Sequence, residues 1–94
     1  MSLPKRVAMV TGANRGLGFA IAKRLAEQGL HVVLTGRAKD LVDDATKALV
    51  NLGLSVSGEP LDVTIPESVS HAVATIMDAY GRIDALINNA AIVV

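Results

Sequence analysis

Two spacings of apolar residues take turns along this chain. Val7-Ala8-Met9-Val10 is a short unbroken apolar run, as expected of a strand covered on both faces. Beyond a glycine-rich turn, Leu17, Ile21 and Leu25, with Ala20 and Ala22 beside them, fall at helical spacing, while Lys23, Arg24, Glu27 and Gln28 supply a polar side. Gly29 reads as the end of that helix. Val32-Val33-Leu34-Thr35 is a second unbroken run, hence a second interior strand. A second helix is expected from Lys39 or Asp40 to Leu52, lined by Leu41, Ala45, Ala48, Leu49 and Leu52 and closed by Gly53.

The third strand, near Leu54 to Leu61, has a different texture. It alternates with Ser55, Ser57 and Glu59 and carries Gly58 and Pro60, which are features of a sheet edge. Thr64-Ile65-Pro66-Glu67 has the spacing of a capping box with proline in the first turn. The helix it opens would bury Val69, Ala72, Val73, Ile76 and Tyr80 and stop at Gly81. Ile83 to Ile87 forms the fourth strand. The alternation β-α-β-α-β-α-β predicts an α/β fold, a doubly wound parallel sheet of four strands in order 3-2-1-4 joined by three right-handed crossover helices. In that order the third strand is outermost, so its edge-like pattern and the topology agree.

Ninety-four residues make one domain. Half of the residues are hydrophobic but only 2% are aromatic, so the core must be built from Val, Leu, Ile and Ala. Nine basic residues balance nine acidic ones, and no net field draws the chain to nucleic acid or an anionic membrane. No apolar run reaches bilayer length, and no cysteine is present to make disulfides or thiolate metal sites. The expectation is a cytoplasmic protein without nucleic-acid or membrane partners. His31 and His71 have no metal-ligand spacing and read as ordinary strand-end and helix-surface residues.

The chemistry concentrates where strands end. Thr11-Gly12-Ala13-Asn14-Arg15-Gly16-Leu17-Gly18 joins the first strand to the first helix. Glycines let backbone approach a pyrophosphate, and a helix N-terminus offers free N–H groups to an anion. The spacing is G-x-x-x-G-x-G, not the G-x-G-x-x-G of the usual dinucleotide fingerprint, and no Lys-Ser or Lys-Thr follows to make a Walker loop. The second strand ends in Gly36-Arg37, where an NAD-binding fold usually places an acid; with Arg15 in the turn, two arginines and no acid point to the 2′-phosphate of NADP(H) over NAD(H). The alternative is that both arginines are solvated surface residues. Asp40 lies at a ribose-binding separation but suits the start of the second helix better. Asp62-Val63 closes the third strand, where the carboxylate can meet an adenine amino group or simply bond turn amides. Asn88-Asn89-Ala90-Ala91 closes the fourth.

In this order and spacing, Thr11-Gly12-x-x-x-Gly16-x-Gly18, Arg37, Asp62-Val63 and Asp84-x-x-x-Asn88-Asn89-Ala90 resemble the N-terminal half of the short-chain dehydrogenase/reductase family over nearly the whole chain. The resemblance implies a Rossmann-like fold and a dinucleotide partner. It places Gly12, Asn14, Arg15, Gly16, Leu17 and Gly18 around the pyrophosphate and adenosine ribose, Arg37 at the 2′-phosphate, Asp62 and Val63 beside the adenine, and Asn88 and Ala90 toward the nicotinamide ribose. Ala91 departs from the family's usual glycine. The family's catalytic serine and Tyr-x-x-x-Lys pair have no counterpart, since Tyr80 is followed four residues later by Asp84. The resulting expectation is an NADP(H)-binding half-domain over residues 1–94, a fragment or an engineered minimal unit, that binds without catalysing and has no metal site. The alternative is a structural module that associates with itself through the fourth-strand edge and the apolar tail Ala91-Ile92-Val93-Val94, without useful nucleotide affinity.

Overall fold

Four short strands and three helices alternate along residues 5–89, the part of the chain that the computed structural model describes. They are β1 (Val7–Val10), α1 (Gly16–Glu27), β2 (His31–Gly36), α2 (Lys39–Val50), β3 (Val56–Pro60), α3 (Pro66–Tyr80) and β4 (Ala85–Ile87). All pairings are parallel and the order is β3-β2-β1-β4, as the hydrophobic pattern predicts. Val7 pairs with His31, Ala8 with Ala85 and Val32 with Val56, which sets the register across the sheet.

Because side chains alternate across a strand, β1 feeds two cores. Ala8 and Val10 join Val32 and Leu34 beneath α1 and α2, against Ala22, Ala26, Ala45 and Leu49. Val7, Met9 and Val33 face the other way, onto Ala72 and Ile76 of α3 and onto Leu61. The helical contribution is mostly alanine, which brings the helix axes close to the strands. Gly58 serves the same closeness: a Cβ there would lie 2.7 Å from Thr46 Oγ1 and 2.9 Å from Val42 Cγ1. Its place in β3 thus answers to the packing of α2 as well as to the edge.

Ala22, Ala45, Leu49, Ala72 and Ile76 are buried as the sequence predicts, but the flanks of the helix stripes differ from the expectation. Leu17, Leu41, Leu52 and Val73 are exposed, and so is Ala48, while Val42 and Ala26 are buried in their stead. Both phases carry apolar residues, and the sheet takes the smaller set. The capping box does not form. The N-cap of α3 is Ile65, whose apolar side chain can make no cap bond, and the Thr64 hydroxyl one residue earlier donates to Asp62 Oδ1 at 2.6 Å. Ala38, not Asp40, caps α2, and Asp40 sits in its first turn. Gly81 does close α3, with φ 75° and its N–H on the Met77 carbonyl at 2.8 Å. Tyr80 is 38% exposed and not part of the core.

Candidate cofactor site

The glycine turn is suspended between the ends of β2 and β4. The Ala13 N–H donates to the Thr35 carbonyl at 2.9 Å, and the Thr11 N–H to the Ile87 carbonyl at 3.0 Å. Two glycines are needed for conformation: Gly12 has φ 61° and Gly16 φ 58°, a region that side chains with a Cβ rarely adopt. Gly18 is needed for space, since a Cβ would clash with the Gly12 carbonyl and lie 2.6 Å from Asn89 Nδ2. α1 starts at once after Arg15, an extended N-cap whose side chain makes no capping bond, and its first turn holds no acidic residue. The first-turn N–H groups are left for another acceptor, with the positive end of the helix behind them.

Around this turn lies a cleft of about 790 Å³ over the carboxyl ends of β1, β2 and β3. It brings together Gly12, Asn14, Arg15, Gly16, Arg37, Asp62 and Val63 from three distant parts of the sequence. Leu17, Gly18 and Asn88 do not line it, and Ala90 lies outside the described residues, as does the Ala91–Val94 tail. Leu17 is 68% exposed. The Asn14 amide lies over the end of β2, where a Cβ on Gly36 would meet its Oδ1 at 2.7 Å. Gly36 is thereby what allows turn and strand to meet.

The electrostatics follow from these placements. Arg15 and Arg37 are exposed, and their side chains make no hydrogen bond or ion pair with other described residues. Asp62 Oδ1 accepts from the Thr64 N–H at 2.9 Å and from its hydroxyl, and these bonds, reinforced by the Arg37 charge, hold the carboxyl below its ordinary range. Both bonds fall on one oxygen, which leaves Oδ2 for a further donor. The Asp62 N–H donates to Ser68 Oγ at 2.9 Å, so α3 steadies the loop.

Ala38, Leu41 and Thr64, which the sequence did not single out for the site, also line the cleft, as does Asn89 of the Asn88-Asn89 turn, whose place in it was not expected. Asn89 matters most. Its N–H donates to Thr11 Oγ1 at 2.9 Å and its Nδ2 to the Gly12 carbonyl at 3.3 Å, while the Thr11 hydroxyl donates to Asn88 Oδ1 at 2.9 Å. The paired amides after β4 thus buttress the glycine turn from beneath. Among the described residues no group of three or more histidines and carboxylates could hold a metal, and no helix is long and apolar enough to cross a membrane.

A parallel sheet in this order with a glycine turn at the head of α1 defines a dinucleotide-binding type of fold. Residues 6–94 match the family model described as short chain dehydrogenase, and the chain belongs to that family. It is 44% identical over 90 residues to the human protein "Dehydrogenase/reductase SDR family member 4", covering 96% of this chain and 32% of that one. Among solved structures it resembles a metagenomic short-chain oxidoreductase in complex with NADP (TM-score 0.88, 34% identity, 96% of this chain and 41% of the other). It also resembles an actinorhodin polyketide ketoreductase with NADPH (TM-score 0.89, 35% identity, 94% and 34%). The chain therefore spans about a third of the length of the curated relatives it matches.

Proposed function

We propose that this chain is the NADP(H)-binding half-domain of a short-chain dehydrogenase/reductase whose whole reaction is hydride transfer between nicotinamide and a carbonyl or alcohol. The observation that carries this reading is the pairing of an uncapped α1 start with two uncommitted arginines on one cleft, with no carboxylate at the end of β2. The residues fit the cofactor: the start of α1 has no side-chain cap, and Asp62 keeps one oxygen unspent. Gly12, Asn14 and Gly16 to Gly18 would hold the pyrophosphate and ribose, Arg15 and Arg37 the 2′-phosphate, and Asp62 and Val63 the adenine. Asn88 and Ala90 would lie toward the nicotinamide ribose. The bound nicotinamide supplies the hydride chemistry. The relatives solved with NADP or NADPH support this choice of cofactor by analogy.

None of the described residues forms a nucleophile–base or acid–base pair in the cleft, so this chain's own part is binding and orientation. The test is a side-by-side titration with NADPH and NADH, following nicotinamide fluorescence at a protein concentration of known oligomeric state. Saturable binding that favours NADPH is expected. Gly16→Val should abolish it, since a β-branched residue is strained at φ 58°, and Arg37→Asp should turn the preference toward NADH. Folded protein that binds neither nucleotide would sink the reading.

A second reading concerns assembly. Among the described residues β4 pairs only with β1, and Leu86 at its centre is 61% exposed. An open strand edge with an exposed leucine favours pairing with a second copy.

A further inference from the structure

At the opposite end of the sheet from the cleft, four side chains from three elements make one hydrogen-bonded chain. Tyr80, the last residue of α3, donates its hydroxyl to Ser57 Oγ on β3 at 2.9 Å. His31, the first residue of β2, lies between two serines, with Nε2 3.0 Å from Ser57 Oγ and Nδ1 2.8 Å from Ser55 Oγ. The Tyr80 and His31 rings also touch, with centroids 4.5 Å apart and planes inclined by 40°. We propose that these residues form a proton-sensitive clasp, which fixes the end of α3 to the β2–β3 corner while His31 is neutral and loosens when the ring takes up a proton.

The argument is one of donors and acceptors. Ser57 has a single hydroxyl proton, and with Tyr80 donating to its oxygen that proton goes to Nε2. Nε2 is then an acceptor, and Nδ1 carries the hydrogen that reaches Ser55. Every group in the chain is satisfied, in one direction, only by a neutral imidazole. An imidazolium has no acceptor to offer: Ser57 must face two donors and turn its own proton away.

The surroundings oppose the charge as well. The segment before β1 brings Lys5, whose charge acts on the ring, and the Arg6 carbonyl, which accepts the His31 backbone N–H at 2.9 Å. β3 brings Ser57, the segment just before it brings Ser55, and α3 brings the tyrosine. Burial first, and Lys5 second, hold the His31 pKa below its ordinary 6.5. The polar alternation of β3, which reads in the sequence as a blunted edge, is thus in part a set of partners for His31.

The chain contains one tyrosine, no tryptophan and two histidines, so tyrosine emission reports Tyr80 alone and the two imidazoles can be followed by NMR. His71→Gln assigns the His31 signal. The experiment titrates the 94-residue protein from about pH 8 to about pH 5. Tyr80 emission should change with the same midpoint as the His31 ring, below 6.5, while far-UV circular dichroism stays native. Tyr80→Phe keeps the ring contact and removes only the hydroxyl; it should raise the His31 midpoint by about 0.5 units, roughly threefold in the protonation constant. Ser57→Ala, which removes the link to Nε2, should do the same. A Tyr80 signal that stays flat through the His31 titration overturns the proposal. So does a His31 midpoint that neither variant moves.

Discussion

The side-chain amide of Asn89 stands where a Cβ on Gly18 would need to be. Its Nδ2 would lie 2.6 Å from such an atom while it donates to the Gly12 carbonyl at 3.3 Å. Two residues 71 positions apart in the sequence therefore shape one turn. Gly18→Ala must displace both the amide and the Gly12 backbone, and backbone does not give way cheaply. The expected loss is about 1–3 kcal/mol of stability, typical of overpacking, seen as a lower thermal midpoint together with weaker nucleotide binding. Asn89→Ala in the same chain should relieve only part of it, because the clash with the Gly12 carbonyl remains. Full rescue by Asn89→Ala would show that the amide alone makes Gly18 necessary.

If Asp62 meets the adenine as proposed, its substitution separates recognition of the base from recognition of the phosphate. On the proposed reading the described lining belongs to the adenosine bisphosphate half of NADPH, so that half, without nicotinamide, should bind the cleft with most of the affinity of the whole cofactor. Asp62→Ala should weaken both ligands alike. Arg37→Ala should weaken only those that carry the 2′-phosphate, by about 10- to 150-fold, as loss of a hydrogen bond to a charged group is worth about 1.5–3 kcal/mol. Calorimetric titration of the variants with each ligand and with NADH checks this. Equal losses for NADPH and NADH in Arg37→Ala would remove the arginine from phosphate recognition.

Strand order was legible because strands buried on both faces leave unbroken apolar runs, and Val7–Val10 and Val32–Thr35 show them plainly. The glycine turn was legible because positive φ and lack of space select glycine at 12, 16 and 18. The inward residues of the helices were less so. In α2 both Leu41-x-x-x-Ala45 and Val42-x-x-Ala45 satisfy helical spacing, and the tilt of the helix on the sheet decides between Leu41 and Val42. Asn88 and Asn89, just after β4, pose the same difficulty: two identical side chains are adjacent, and only the structure shows that Asn89 reaches the Gly12 carbonyl while Asn88 accepts from the Thr11 hydroxyl. The capping-box spacing at Thr64 misled because α3 starts one residue later than that spacing implies, which puts Ile65 at the N-cap and leaves the Thr64 hydroxyl to donate to Asp62. The role of His31 depends on the β2–β3 register, which no local pattern contains.

Acid should loosen the seam between β1 and β4 through Asp84. Its carboxylate receives Arg82 Nε at 2.8 Å, Arg82 Nη2 at 2.6 Å and the Val7 N–H at 2.7 Å. These bonds, the arginine's first, hold the Asp84 pKa below its ordinary 3.8. A folded-state value below the unfolded one means that the stabilisation is complete above about pH 3.8 and is lost as the pH falls through the folded value. Asp62, also lowered, adds a contribution of the same sign. Thermal midpoints measured across this acid range should fall less steeply in Asp84→Asn than in the parent chain, with the parent more stable near neutrality. Parallel curves would mean that Asp84 contributes nothing through its charge.

The β4 edge makes a prediction about assembly that is independent of cofactor. Ala85 and Ile87 turn toward the core under α1 and α2, so Leu86 projects from the opposite face, and 61% of it remains exposed. Among the described residues β4 has a partner strand on one side only. If two copies pair through this edge, a symmetric contact buries Leu86 twice, and each burial contributes about 1.5–3 kcal/mol when complete. Sedimentation velocity should then show an average mass that rises with concentration. Leu86→Lys places a charge on the edge strand and should weaken the association by about tenfold or more, while leaving NADPH binding unchanged because Leu86 does not line the cleft. A chain that sediments as a monomer at every concentration would exclude the β4 interface and leave the cofactor reading intact. Loss of both association and NADPH binding in Leu86→Lys would instead mean that the cleft needs the second copy to be complete.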